Sequence, residues 1–358
     1  MKIAPTTDSF IVGQDGVSTA VAAQARPSTY RFSCRISNAN INWRLSKFTV
    51  NNKTKTKHNR NLKPRLGLAL SGGGARGLAH IGVLRALEDA GIQPDYLTGT
   101  SMGGVIAAGY AAGLSPADME QIALEFGTVR KLWGLADPTL PRRGLFQGER
   151  LLAFFEQHLQ ECTFVDLRVP LTLVAVDLNS GKEIHLREGS VAEAVRATVS
   201  IPGLLAPVER NGQRLVDGGL LNNLPVDVVR QMGADVTLAV DVSSYNGGTS
   251  FWQELGQRRL LSGTVGELIA VLGDSLDLVI RQNSESRWRQ APPDYWLRPI
   301  IPVDVTVVTG YHRAAELISL GDEITQSILP DLQVALQPPR RWPWSRRPKR
   351  SRLSSTRP

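Results

Sequence analysis

From residue 65 onward, short apolar runs alternate with amphipathic stretches, and glycines stand at the joins. Arg65-Leu66-Gly67-Leu68-Ala69-Leu70 is too short for a helix and runs into Ser71-Gly72-Gly73-Gly74-Ala75-Arg76-Gly77, which predicts a strand followed by a loop. Leu78 to Ala90 reads as a helix, because Ile81, Leu84 and Leu87 recur at helical spacing and Gly91 ends the pattern. Tyr96-Leu97-Thr98 is a second strand, and Val105 to Ala112 a small, apolar, buried helix. Strand-helix-strand-helix implies an α/β fold with a parallel sheet.

The alternation continues. Pro138 to Gly148 is a loop and Glu149 to Gln160 a helix; Leu171 to Val176 is a nearly continuous apolar strand, as when both faces of a sheet are covered. Glu183 to Leu186 is an edge strand, and Val191 to Thr198 a helix stopped by Ser200-Ile201-Pro202-Gly203. Arg214-Leu215-Val216 leads into Asp217-Gly218-Gly219, Pro225 opens a helix to Gln231, and Val236 to Val240 is another buried strand. Residues 266–288 form a long amphipathic helix, Tyr295 to Ile300 a strand and Arg313 to Ile328 a final helix.

Charge divides the chain. Residues 1–63 carry 11 Lys/Arg against 2 Asp/Glu, and residues 338–358 carry 8 against none, so the middle has a net charge of −9 although the whole chain is +8. A nucleic-acid binder puts its positive charge on the folded domain; here it sits at the ends, and no nucleic-acid partner is expected. Residues 1–63 are expected to be a disordered basic extension, and 338–358 a disordered Pro/Trp/Arg tail. Both can touch an anionic membrane surface, with plain solvated tails as the alternative. Two cysteines, Cys34 and Cys162, make neither a disulfide framework nor a metal site. No run approaches the ~20 apolar residues of a transmembrane helix, and the start lacks a convincing signal peptide. The expected location is cytoplasmic, with peripheral membrane contact.

Two glycine-rich stretches carry the candidate chemistry. Gly99-Thr100-Ser101-Met102-Gly103 is G-x-S-x-G between a strand and a helix, where the glycines permit a tight turn that exposes the serine near a helix N-terminus. The motif is common on its own, so the second stretch matters. Gly72-x-Gly74-x-x-Gly77 formally fits a dinucleotide fingerprint, but that reading wants an acid at the end of the second strand, where Thr100-Ser101 stand; Asp95 comes at its start. The other reading makes Gly72, Gly73, Gly74 and Gly77 an oxyanion site of backbone N–H groups, with Arg76 adding positive charge. Loop and serine then explain each other, which favours acyl transfer.

Ser101 needs a base. Of the five histidines, His58, His80, His158, His185 and His312, His58 lies in the extension and His80 sits one turn into a helix as a packed or surface residue. His312 has the chain order of an ordinary hydrolase triad, but its neighbours read as a normal helix start. Asp217 is the better partner: it follows an apolar strand and precedes two glycines, although Asp-Gly is also an ordinary turn.

Taken together, Ser71 to Gly77, Gly99 to Gly104, Arg196-Ala197-Thr198-Val199-Ser200-Ile201-Pro202-Gly203 with Pro207, and Asp217-Gly218-Gly219 resemble, in order and spacing, the motif blocks of patatin-like phospholipases. The resemblance covers about residues 66–242 and extends loosely to about 330, in the manner of bacterial relatives of neuropathy target esterase. It implies a three-layer α/β/α fold with a mostly parallel sheet, a catalytic domain over 66–230, and 231–337 as the C-terminal part of the same globular unit. It further implies Ser101 as nucleophile, Asp217 as base, the glycine loop as oxyanion site, a lipid acyl ester as substrate, and no metal or cofactor. Thr198 and Val199 depart from the residues frequent in the family. Two rivals remain, a nucleotide-binding dehydrogenase and a catalytically silent membrane- or partner-binding protein.

Overall fold

A computed structural model describes residues 63–127, 137, 146–243, 264–307 and 309–338. The basic extension and tail lie outside them, apart from Lys63 and Pro338, as does most of the Pro138–Gly148 loop. The elements run β1 (Leu66–Leu70), α1 (Ala79–Asp89), β2 (Tyr96–Thr100), α2 (Met102–Ala112), α3 (Pro116–Phe126), α4 (Glu149–Leu159), β3 (Leu171–Asp177), β4 (Lys182–Leu186), α5 (Val191–Thr198), β5 (Val208–Arg210), β6 (Gln213–Asp217), α6 (Val226–Met232), β7 (Val236–Val240), α7 (Thr264–Gln290), β8 (Tyr295–Leu297), α8 (Ala314–Gln326) and α9 (Leu329–Ala335).

The sheet runs β5-β6-β3-β2-β1-β7-β8, with β4 beside β3. The five strands from β3 to β8 are parallel, and β4, β5 and β6 are antiparallel additions. Its two faces can be read from β1. Leu66, Leu68 and Leu70 point into the main core with Ile81, Leu84 and Leu87 of α1, while Ala69 joins Val226 and Val229 of α6 on the opposite face. Helices therefore cover both faces, giving a mixed α/β molecule of three layers, and each fully buried leucine contributes about 2 kcal/mol before chain entropy is counted. Helix α1 is apolar almost all round because α8 lies along its outer side, with Leu317 and Ile318 fully buried.

Register places the site. Thr100, the last residue of β2, pairs with Val174, whereas Asp217, the last residue of β6, pairs with Ala175. Strand β4 occupies one edge of β3 from Leu173 to Asp177, so β2 and β6 must share the other edge, end to end. The serine after β2 and the aspartate ending β6 are thereby brought to one spot from 116 positions apart in the sequence.

Several elements differ from the sequence expectation. Helix α3 was not foreseen, although Ser115-Pro116-Ala117-Asp118 is a helix start: the Ser115 hydroxyl accepts the Asp118 N–H at 3.1 Å and the Asp118 carboxylate accepts the Ser115 N–H at 3.0 Å. Strand β5 was also missed; it turns into β6 through Asn211-Gly212, both with positive φ (51° and 75°), a two-residue hairpin. Strand β8 stops at Leu297 rather than Ile300, shortly before Pro299, which has no N–H to donate. The last helix ends at Gln326, and Pro330 in the first turn of α9 opens a separate helix.

Candidate active site

Ser101 sits between β2 and α2 with φ 53° and ψ −127°, a backbone conformation strained for any residue but glycine. What holds it there is the approach of α2 to the sheet: a Cβ on Gly103 would lie 2.4 Å from the Leu70 carbonyl oxygen, so only glycine lets the helix start this close. The turn aims the serine at the N-terminal end of an 11-residue helix, where the helix dipole is positive. The serine is 7% exposed, as is Asp217.

The Ser101 side chain interacts with the Asp217 carboxylate and favours its charged form. The Gly219 N–H donates to Asp217 Oδ1 at 2.8 Å, and the Asp217 N–H is tied to the Ser200 carbonyl at 2.9 Å. Burial pushes the Asp217 carboxyl up to about 6; Ser101 and the Gly219 N–H, which favour the charged form, oppose the rise without cancelling it. A carboxylate in these surroundings is a better base than one in water, and it is ionised at neutral pH.

The glycine loop borders the serine. A Cβ built on Gly72 would come within 3.0 Å of the Ser101 Cβ. The Gly72 N–H, however, is bonded to the Asn223 carbonyl at 3.1 Å, and that of Ala75 to the Val307 carbonyl at 3.2 Å. Among the described residues the amides of Gly73 and Gly74 meet no acceptor. Gly74 has φ +58°, and a Cβ there would lie 2.0 Å from the Val307 carbonyl oxygen. Gly77 belongs to the short 3-10 turn Gly74–Leu78 that leads into α1. Arg76 donates from Nε to the Val305 carbonyl at 3.1 Å, so its guanidinium braces the 305–307 segment.

Among the described residues, the histidines do not join them. His80 is fully buried, bonded through Nε2 to the Ser71 carbonyl at 2.9 Å, and burial lowers its pKa to about 4, so the ring is neutral. His185 pairs with Glu183 at 2.7 Å, and His312 is exposed in the turn before α8. His158 lines the cavity described next and bonds through Nδ1 to the Phe154 carbonyl at 2.8 Å. Asp95 accepts the Leu66 N–H at 2.7 Å at the N-terminal ends of β1 and β2, the wrong end of the sheet for a ribose beside the glycine loop.

A cavity of about 270 Å³ opens at Ser101 and Gly74, walled by α2, α4 and the 199–205 segment, with Ile106, Phe154, Val199 and Leu205 among its apolar lining. Such a cavity suits a hydrocarbon chain attached to the carbon that the serine attacks.

Asn222 and Asn223 escaped the sequence reading, and Arg196 and Thr198 entered it only as members of the Arg196–Gly203 block, without a role. Asn222 and Asn223 bind the blocks together: the Asn222 carbonyl accepts from Thr100 Oγ1 at 2.8 Å, and the Asn223 carbonyl accepts from Gly72. Arg196, 4% exposed, donates to the carbonyls of Gly148, Gln147 and Ala206 and to Ser200 Oγ, so it staples the entry to α4 onto the cavity wall. The Thr198 hydroxyl accepts the Ser101 N–H. An Asn-Asn pair, or a threonine ending a helix, carries no signal of its own in a sequence.

The fold and site define an α/β protein whose buried serine and aspartate meet beside a glycine-rich loop and an apolar cavity. Residues 68–230 match the family described as patatin-like phospholipase. An uncharacterized NTE family protein of Mycobacterium tuberculosis is 36% identical over 187 residues, which cover 52% of this chain and 51% of the relative. Patatin-like phospholipase domain-containing protein 6 of Mus musculus is 37% identical over 206 residues, covering 54% of this chain and 15% of the mouse protein. This chain thus spans about half the length of the mycobacterial relative. Among solved structures, VipD from Legionella pneumophila aligns over 75% of this chain and 67% of its own, with 14% identity and a TM-score of 0.41.

Proposed function

We propose that the protein is a serine acyl hydrolase that cleaves lipid carboxylic esters through an acyl-enzyme. The observation that carries this reading is the meeting of the buried Ser101 and Asp217 at one edge of β3, with Ser101 lining an apolar cavity. Ser101 Oγ attacks the ester carbonyl as Asp217 accepts its proton. The resulting oxyanion takes hydrogen bonds from the amides of Gly73 and Gly74, each such donor being worth about 3 kcal/mol in the transition state. Collapse breaks the ester bond, the alcohol leaves with the proton from Asp217, and the acyl chain stays on Ser101. Water then attacks the acyl-enzyme, giving its proton to Asp217; collapse breaks the bond to Ser101 Oγ, which takes that proton from Asp217 as the fatty acid departs. The match of residues 68–230 to the patatin-like phospholipase family supports a lipid substrate. The basic ends, residues 1–63 and 338–358, would hold the enzyme to an anionic surface, each charge contributing about 1 kcal/mol; binding to anionic vesicles should weaken as salt rises.

The test is p-nitrophenol release from short and medium acyl esters by wild type, Ser101→Ala and Asp217→Asn, each checked for folding. Activity in the wild type that is lost in both folded variants supports the proposal. Activity that survives Ser101→Ala, or a well-folded wild type inert toward every ester, overturns it and favours the binding-protein reading.

A further inference from the structure

Residues 198–200 touch both members of the pair. The Thr198 hydroxyl, fully buried, accepts the Ser101 N–H at 3.0 Å and donates to the Val174 carbonyl. Two residues on, the Ser200 carbonyl accepts the Asp217 N–H. Val174 is the β3 residue opposite Thr100, and its neighbour Ala175 is opposite Asp217. The segment therefore spans the point on β3 where β2 hands over to β6. Its far end is held as well, since Arg196 donates to Ser200 Oγ at 2.6 Å, and Ser200 Oγ donates to the Arg196 carbonyl at 2.8 Å.

The amide of a nucleophile on a helix N-terminus is one of the N–H groups that the helix itself leaves unsatisfied. Here a side chain from another helix takes it, and that side chain can hold the elbow only because its own hydroxyl proton is anchored on β3. We infer that Thr198 is a positioning residue, whose hydroxyl fixes the strained Ser101 backbone so that Ser101 Oγ stays on the Asp217 carboxylate. The inference rests on the proposed acyl-hydrolase reading. Without the hydroxyl, Ser101 keeps its neighbours but loses the restraint on the torsions that aim it. Ester binding, which depends on the apolar cavity, is untouched.

Thr198→Val keeps the shape and removes the hydroxyl. In the full-length protein it should lower kcat for a p-nitrophenyl ester by about 10- to 100-fold, the range for a small misplacement of a reacting group, while KM stays within about twofold. Thr198→Ser should restore most of kcat. A second readout separates positioning from loss of structure. The Ser101 side chain holds the Asp217 carboxyl down, so displacing it raises that pKa, and the acid limb of the kcat/KM profile should move to higher pH in Thr198→Val but not in Thr198→Ser. If Thr198→Val does not fold, Thr198→Cys, with similar volume and weaker hydrogen bonds, should show the same shift in smaller measure. Unchanged kcat and an unmoved acid limb in a folded Thr198→Val, or in Thr198→Cys where the valine variant does not fold, overturn the inference. So does a limb that moves equally in Thr198→Ser. Failure of the underlying reading looks different: Ser101→Ala would then be as active as the wild type.

Discussion

Replacing Asp217 by asparagine should abolish activity and, above neutral pH, make the protein more stable. In the folded protein burial raises the carboxyl from 3.8 to about 6. Two units correspond to roughly 3 kcal/mol. The sign follows from the direction of the shift. A carboxyl with a folded pKa above its unfolded one is harder to ionise in the fold, so its charge costs stability above pH 6 and costs nothing below about 4. Wild-type stability therefore falls through this window as pH rises. Asparagine has no charge to bury, and its side-chain oxygen can still accept from Gly219. The difference between the variant and the wild type should grow from near zero at pH 4 to about 3 kcal/mol at pH 8, equivalent to roughly 6–10 °C in Tm for a folded unit of this size. Carboxyls held below their usual range, such as Asp137 and Glu183, give an opposing slope, but it is common to both proteins and cancels. Urea unfolding of both proteins at pH 4, 6 and 8 measures the difference. A variant no more stable than wild type at pH 8, or a gap independent of pH, would refute the reasoning. The same ionisation that costs stability makes the base, so wild-type kcat/KM should fall on the acid side of about pH 6.

Ser101→Gly should lose activity yet gain about 1 kcal/mol over Ser101→Ala in thermal unfolding, because glycine relieves the φ of 53° and alanine does not. Gly74→Ala should lose at least 100-fold in kcat together with stability, since the new Cβ would meet the Val307 carbonyl oxygen at 2.0 Å in a backbone that disfavours side chains; activity near wild type would exclude Gly74 from the oxyanion site. Val199→Phe, on the cavity wall, should raise KM for long acyl esters several-fold and leave butyrate esters unchanged, as read from a chain-length series. Arg196→Met should destabilise by about 3 kcal/mol or more, leaving three carbonyls and the Ser200 hydroxyl without their donor, and a shift of under 1 kcal/mol in urea unfolding would contradict that role.

Both halves of the site can be read in the sequence because each is a local constraint. Glycines at 72–74 and around Ser101 mark backbone that must turn sharply or come close, and an apolar run before each marks a buried strand. The parallel order of β1, β2 and β3 follows from strands alternating with helices. The antiparallel additions could have been caught in part, through Asn211-Gly212, but not the decision of β6 to pair with the same edge of β3 as β2. That choice is made by tertiary packing, and no short stretch encodes it.

It is also the choice on which the chemistry depends. A serine on an elbow and an aspartate before two glycines are each unremarkable alone. What turns them into a pair is that β2 ends at Val174 and β6 ends at Ala175, one residue apart on a single strand edge. The residues that hold this junction, Thr198 on the Val174 carbonyl and Ser200 on the Asp217 amide, are polar side chain and main chain at the end of a helix, inside a motif block whose sequence assigns them no role. A resemblance in motif blocks locates the reacting groups, whereas the contacts that hold them together appear only in the fold. Changes at Thr198 should therefore alter the rate at constant chemistry, and changes at Ser101 or Asp217 the chemistry itself.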